Sequence, residues 1–113
     1  MQIIISGRNV DVTDAIREHI DERFERLSKF EPRASRIEVI LAEEKTRSIA
    51  EAVMSVDGSG PVVAKAEASE IRTAVDRLYD RLSRRARKER ERRRNHKAPP
   101  GSSLTATLDE PEE

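Results

Sequence analysis

The sequence predicts an α+β fold with the element order β-α-β-β-β-α, a four-stranded sheet with two helices packed on one face. Three observations carry this. Two stretches repeat apolar residues at three- and four-residue steps, the spacing of a helix face. Three segments between them alternate apolar and polar residues, the spacing of a half-buried strand. An apolar triplet, Ile3-Ile4-Ile5, opens the chain. Two amphipathic helices need a sheet face to cover, and a single layer of helices on a single sheet satisfies every apolar stripe.

Residues 2–6 suit a strand buried on both faces, broken by Gly7 and Arg8-Asn9. Thr13 caps the next element, with Asp14 and Glu18 near the positive helix end. Ile16, Ile20, Phe24, Leu27 and Phe30 then step along one helical face, with Arg17, Arg23 and Arg26 off it, until Glu31-Pro32 stops the helix. Residues 35–42 read as a strand in which Ile37, Val39 and Leu41 alternate with Arg36, Glu38 and Ile40. A charged loop at 43–47 leads to a strand at 50–56, with Ala52, Met54 and Val56 on one face. Asp57-Gly58-Ser59-Gly60-Pro61 is the strongest turn signal in the chain and indicates a hairpin. Its return strand, 62–68, places Val62, Ala64, Ala66 and Ala68 on one side, small enough for a helix to lie close.

The last helix begins near Ile71, with Ser69 as its cap and Glu70 complementing its dipole. Ile71, Ala74, Val75, Leu78 and Leu82 form its apolar face. No Pro or Gly follows before residue 98, so the helix continues after that face has ended, reaching roughly 36 Å by residue 94 at about 1.5 Å per residue. Residues 87–97 carry almost no apolar side chain, so the fold should not depend on them.

With 113 residues, the chain makes one domain, and 35% hydrophobic against 39% charged residues allows only a modest core. The net charge of zero is unevenly spread: −4 over residues 1–70, +8 over 71–97 and −4 over 98–113. The folded domain, ending in the basic helix, would therefore be residues 1–97. Residues 98–113, Pro/Gly/Ser-rich and then acidic, read as a disordered acidic tail. The absence of cysteine excludes disulfides and thiolate metal sites. No apolar run approaches a membrane span and no signal-peptide core opens the chain, so a soluble cytoplasmic protein without a membrane partner is expected.

Catalysis has little to work with. His19 reads as a helix-surface residue and His96 as part of a fraying end, and no His-x-x-x-His pair, P-loop or nucleophile elbow occurs. Neither an enzyme nor a metal, cofactor or small-molecule substrate is expected. The informative feature is charge. On a helical wheel Arg77, Arg81, Arg84, Arg85, Lys88 and Arg92 fall within a stripe about 100° wide that contains no acid. Solvated helices usually mix signs for i,i+4 pairing, whereas six like charges side by side call for a polyanion. A merely solvated helix end is the alternative. Phe24, Phe30 and Tyr79 are the only aromatics, too few for base stacking, so binding should use phosphates and shape and favour folded A-form RNA.

The sequence also resembles the ribosome hibernation-promoting factors, the ribosome-associated translation inhibitor family, over residues 1–97. Ile5-Ser6-Gly7-Arg8-Asn9-Val10-Asp11-Val12-Thr13-Asp14-Ala15-Ile16-Arg17-Glu18 is similar to the family's opening, and Arg23-Phe24-Glu25-Arg26-Leu27 to its continuation of the first helix. Asp80-Arg81-Leu82-Ser83-Arg84-Arg85-Ala86-Arg87-Lys88-Glu89-Arg90 is similar to the family's second-helix motif Asp-Lys-Leu-x-Arg-Gln-Leu-x-Lys-x-Lys. The resemblance implies the same β-α-β-β-β-α fold, related to the double-stranded-RNA-binding domain. It also implies a translation inhibitor seated in the mRNA and tRNA channel of the small ribosomal subunit, acting in stationary phase or stress. It makes Arg81, Arg84, Arg85, Lys88 and Arg90 contacts to 16S rRNA, with Arg23 and Arg26 as further contacts from the first helix. The family often has Asp and an aromatic where Glu70-Ile71-Arg72 stands here, and its long members carry a second domain, so the chain reads as a short form or the N-terminal domain of a long form. Two other readings remain: a general double-stranded-RNA-binding module, and a protein-interaction module whose long helix docks on an acidic partner.

Overall fold

The computed structural model describes residues 1–95, which form β1 (Gln2–Arg8), α1 (Asp14–Phe24), α2 (Leu27–Phe30), β2 (Ala34–Glu44), β3 (Arg47–Val56), β4 (Val62–Ala68) and α3 (Ile71–Asn95). The expected acidic tail, with His96 and Lys97, lies outside the described residues. The four strands make one sheet in the order β1-β2-β3-β4, with β1 parallel to β2 and the other pairs antiparallel. A parallel pair needs a crossover, and α1 and α2 supply it. The expected α+β architecture is the observed one.

Strand register explains which face is covered. Ile3, Ile37, Met54 and Val62 lie side by side across the sheet, as do Ile5, Val39, Ala52 and Ala64, and then Gly7, Leu41, Ala50 and Ala66. Apart from Gly7 on β1 and Met54 on β3, these rows run from larger residues on β1 and β2 to smaller ones on β3 and β4. The residues of β2, β3 and β4 in these rows are buried together with Ile16, Ile20, Phe24 and Leu27 of the first helices and Ala74, Val75, Leu78, Leu82 and Ala86 of α3. α3 packs on β4 and β3, over the small residues, and meets α1 along its other side. Each fully buried Leu or Val on α3 contributes about 1.5–3 kcal/mol, so the stretch from Ala74 to Ala86 anchors the helix.

The structure departs from the sequence reading at five places. β1 is an edge strand, so Ile3, Ile4 and Ile5 are only half-buried, and not buried on both faces. It also runs through Gly7 to Arg8, and the chain turns at Asn9, whose φ of 57° suits asparagine. Gly7 is required for a different reason: a Cβ there would stand 2.6 Å from the Val10 carbonyl oxygen. The expected charged loop at 43–47 is a two-residue hairpin, because Glu44 pairs with Arg47 and Lys45 takes a φ of 51°, the sense of the primed hairpin turns. Thr13 caps α1 as expected, its Oγ1 accepting from the Ile16 N–H at 3.2 Å, but on α3 the cap falls one residue late. The Glu70 carbonyl accepts the first helical bond, from Ala74.

The single first helix is two. After Phe24 the chain tightens into i→i−3 bonds, Arg26 to Arg23, Ser28 to Glu25 and Lys29 to Arg26. That tightening still carries Leu27 into the core beside Phe24. The Phe30 side chain lies outside the described atoms.

The fifth departure concerns the far end of α3. Arg93 Nη2 donates to Glu31 Oε1 at 2.9 Å, and Glu31 is 2% exposed. The backbone N–H of Arg33 donates to the other carboxylate oxygen at 3.3 Å. A carboxylate removed from water needs a paired cation, so the fold does depend on residues 87–95. Arg93 lies seven positions after buried Ala86, two turns on along the same helical face.

Arg93→Ala should therefore lower stability by about 3 kcal/mol, because Glu31 keeps its burial and loses its counter-charge. Arg87→Ala, at an exposed position, should stay within about 0.5 kcal/mol. Urea unfolding of both variants, read by far-ultraviolet dichroism, checks the difference.

Candidate nucleic-acid interface

The cations of α3 divide by the elements they face. β4 is the last strand of the sheet, so one row of its backbone carbonyls has no strand to receive bonds from. α3 runs antiparallel to it and answers that row. Arg77 Nη1 donates to the Glu67 carbonyl at 2.9 Å, Arg81 Nη1 to Lys65 at 2.7 Å and Arg85 Nη1 to Val63 at 3.2 Å. Four helical residues advance about 6 Å and two strand residues about 7 Å, so arginines at every fourth position keep step with every second carbonyl. Closeness makes the reach possible: Ala64, Ala66 and Ala68 beneath the helix add little bulk. All three arginines remain exposed, and each guanidinium has five N–H donors, of which the bond to the β4 carbonyl uses one.

Arg84 and Lys88 are exposed on the outer surface of α3. Arg92 is exposed and lies 3.9 Å from Glu89, and Arg90 is half-buried. Lys88, Arg90 and Arg92 make further interactions of their own. The six-residue stripe thus stands as one surface, with its inner border bonded to the sheet edge.

Arg23 is placed elsewhere. Its Nε lies 3.2 Å from Asp76 Oδ1, and its guanidinium sits over the Tyr79 ring, 5.8 Å from the centroid. His19 Nε2 meets the same Asp76 oxygen at 2.7 Å, and Tyr79 packs edge-on against Phe24 with ring centroids 5.6 Å apart. These contacts clamp α1 to α3. His19 is accordingly an interface residue with a 13% exposed side chain, not the surface residue expected. Arg26 lines an open groove with Glu18, Asp21, Glu22, Glu25 and Lys29. The structure therefore does not bring Arg23 and Arg26 onto the α3 stripe, and the groove around Arg26 is predominantly acidic.

Sequence reasoning missed the carbonyl row. Its signal was present: arginines at i, i+4 and i+8 on a helix that directly follows an alanine-rich strand at the end of the strand order. Among the described residues, no group of three or more His, Asp or Glu side chains could hold a metal ion, and no helix is long and apolar enough to cross a membrane.

Residues 3–94 match the family model described as Sigma 54 modulation protein / S30EA ribosomal protein. The chain belongs to this family. Among S30EA relatives, the ribosome hibernation promoting factor of Azotobacter vinelandii is 39% identical over 92 residues, covering 81% of this chain and 85% of that protein. The factor of the same name from Escherichia coli K12 is 33% identical over 96 residues, covering 85% and 100%. Two solved structures share the fold. A ribosomal subunit interface protein from Coxiella burnetii superposes with a TM-score of 0.76 at 27% identity, over 80% of this chain and 99% of that one. The N-terminal domain of Protein Y from Thermus thermophilus does so with a TM-score of 0.67 at 30% identity, over 74% and 92%. Within this S30EA domain the clamp and the stripe are separable. A double-mutant cycle of Arg23→Ala and Asp76→Ala, followed by thermal unfolding, should give a coupling energy of about 0.5–1 kcal/mol.

Proposed function

We propose that this chain is a ribosome-binding translation inhibitor that occupies the mRNA and tRNA channel of the small ribosomal subunit and promotes hibernation under stress or in stationary phase. The observation that carries this reading is the acid-free stripe of Arg77, Arg81, Arg84, Arg85, Lys88 and Arg92 on a member of the S30EA family. Relatives bearing the name ribosome hibernation promoting factor support the process, and the fold shared with a ribosomal subunit interface protein supports the location. The partner surface is 16S rRNA, met through its phosphates, with Arg90 beside the stripe. Arg23 and Arg26 contribute less, one being held by Asp76 and the other lying among acids. The factor acts in the cytoplasm, without a cofactor and without catalysis, as an obstruction. The ribosome-binding domain is residues 1–97, followed in sequence by the acidic segment 98–113.

A general double-stranded-RNA module fits less well. Such modules place a basic cluster at the start of their last helix, and here that start is Ser69-Glu70-Ile71-Arg72. A protein-docking helix would not need six cations of one sign.

Binding should be electrostatic. If about six phosphates are neutralised, log K against log salt should fall with a slope of about −4 or steeper. Filter binding to purified small subunits between low and physiological salt measures this slope, and a flat response would contradict the reading. In lysate from starved cells, nuclease treatment before a sucrose gradient should release the chain from the heavy fractions.

A further inference from the structure

Arg77, Arg81 and Arg85 share a feature that sets them apart from the other cations of α3. Each guanidinium is bonded through Nη1 to a backbone carbonyl of β4, at 2.9, 2.7 and 3.2 Å. An arginine on a solvated helix samples many rotamers and loses up to about 2 kcal/mol of side-chain freedom when a ligand immobilises it. Here the fold has already limited that freedom. Nη2 and Nε remain on each planar fork, and the side chains are exposed.

The spacing of the forks is also set. Four residues of helix separate neighbouring members by about 6 Å along the axis, and the carbonyls that hold them are two strand residues apart. A repeat of this size is comparable with the separation of successive phosphates along one strand of a nucleic acid. No acid interrupts the row, because Asp76, Asp80, Glu89 and Glu91 fall outside the stripe. The edge of β4 and the flank of α3 together make a track with a cation at each step.

We propose that Arg77, Arg81 and Arg85 form a pre-organised guanidinium row that takes three consecutive phosphates of a single RNA strand lying along the α3–β4 edge. This deepens the reading of the stripe as the rRNA-binding surface and rests on it. In the row, each arginine bridges a β4 carbonyl on one side and a phosphate on the other, which its planar fork permits. Lysine does this less well, since its three donors sit on one compact ammonium at the end of a shorter, flexible stem with no fixed fork. The row therefore distinguishes arginine from lysine, whereas the outer cations contribute charge alone. The same bonds blunt the free edge of β4 against pairing with another strand, so stability and binding draw on different donors of the same side chains.

The test conserves charge. The triple variant R77K/R81K/R85K is compared with R72K/R87K/R94K, which makes the same exchange at exposed arginines of α3 outside the stripe, and both are titrated with purified small ribosomal subunits at fixed salt. The row variant should bind at least tenfold more weakly than the unmodified chain, with the salt slope unchanged because no charge is lost. The control should stay within about twofold. Equal losses in the two triples would overturn the proposal, and so would a lower melting temperature of the row variant with undiminished affinity, since that is what a purely edge-capping role produces. If the row triple does not fold, R81K alone decides: a loss of about threefold at an unchanged melting temperature supports the row, and no loss overturns it. Failure of the underlying reading looks different, since the unmodified chain would then not bind small subunits at all, and the row would fall with it.

Discussion

The distance between α3 and the sheet is the constraint from which most of this molecule follows. Ala50, Ala52, Ala64, Ala66 and Ala68 pave the half of the sheet beneath the helix. With that floor the backbone of α3 comes close enough for arginine side chains to reach around the helix and meet the edge of β4. Larger residues at those positions would lift the helix, and the carbonyls of Val63, Lys65 and Glu67 would lose their donors. The same seating brings Asp76 and Tyr79 to α1, where His19, Arg23 and Phe24 receive them. One packing distance thus sets the sheet edge, the interhelical clamp and the orientation of the basic surface.

The charge pattern of α3 separates three duties around one cylinder. The inner face is apolar as far as Ala86 and then returns to the protein at Arg93, where the helix is tied to buried Glu31. One flank carries Asp76 and Tyr79, which hold α1. The other flank and the outer surface are cationic. Such segregation explains how a chain of zero net charge can present a strongly positive surface. It also explains why the acids of α1, which line the groove around Arg26, do not neutralise the stripe. The proposed rRNA partner would supply the polyanion that such a surface calls for.

Much of the fold was legible in the sequence, because apolar periodicity is a direct record of burial. The alternation in β2, β3 and β4 and the steps Ile16, Ile20, Phe24 and Ile71, Ala74, Val75, Leu78, Leu82 report which side of each element meets the core. Periodicity says less about an element's neighbours. Ile3-Ile4-Ile5 is equally consistent with a central and an edge strand, and only the pairing shows that β1 has one neighbour. The break after Phe24 was hidden because a tightened turn still delivers Leu27 to the core. In the basic helix the stripe was visible as a set of like charges, but wheel arithmetic treats a long side chain as a point. It could not show that Arg77, Arg81 and Arg85 bend back to backbone oxygens, that Arg23 turns inward to Asp76, or that Arg93 enters the protein.

The central claim is that the cationic surface of α3, and not the acidic outer surface of α1, faces rRNA. The chain has no cysteine, so a single introduced thiol can carry a hydroxyl-radical source without other labelling. Glu91→Cys places the source beside the α3 stripe, and Glu22→Cys places it at the α1 groove. With each labelled chain bound to small ribosomal subunits, strand scission of 16S rRNA is mapped by primer extension. The account predicts strong local cleavage from position 91 and little from position 22. Strong cleavage from position 22 with none from position 91 would contradict it.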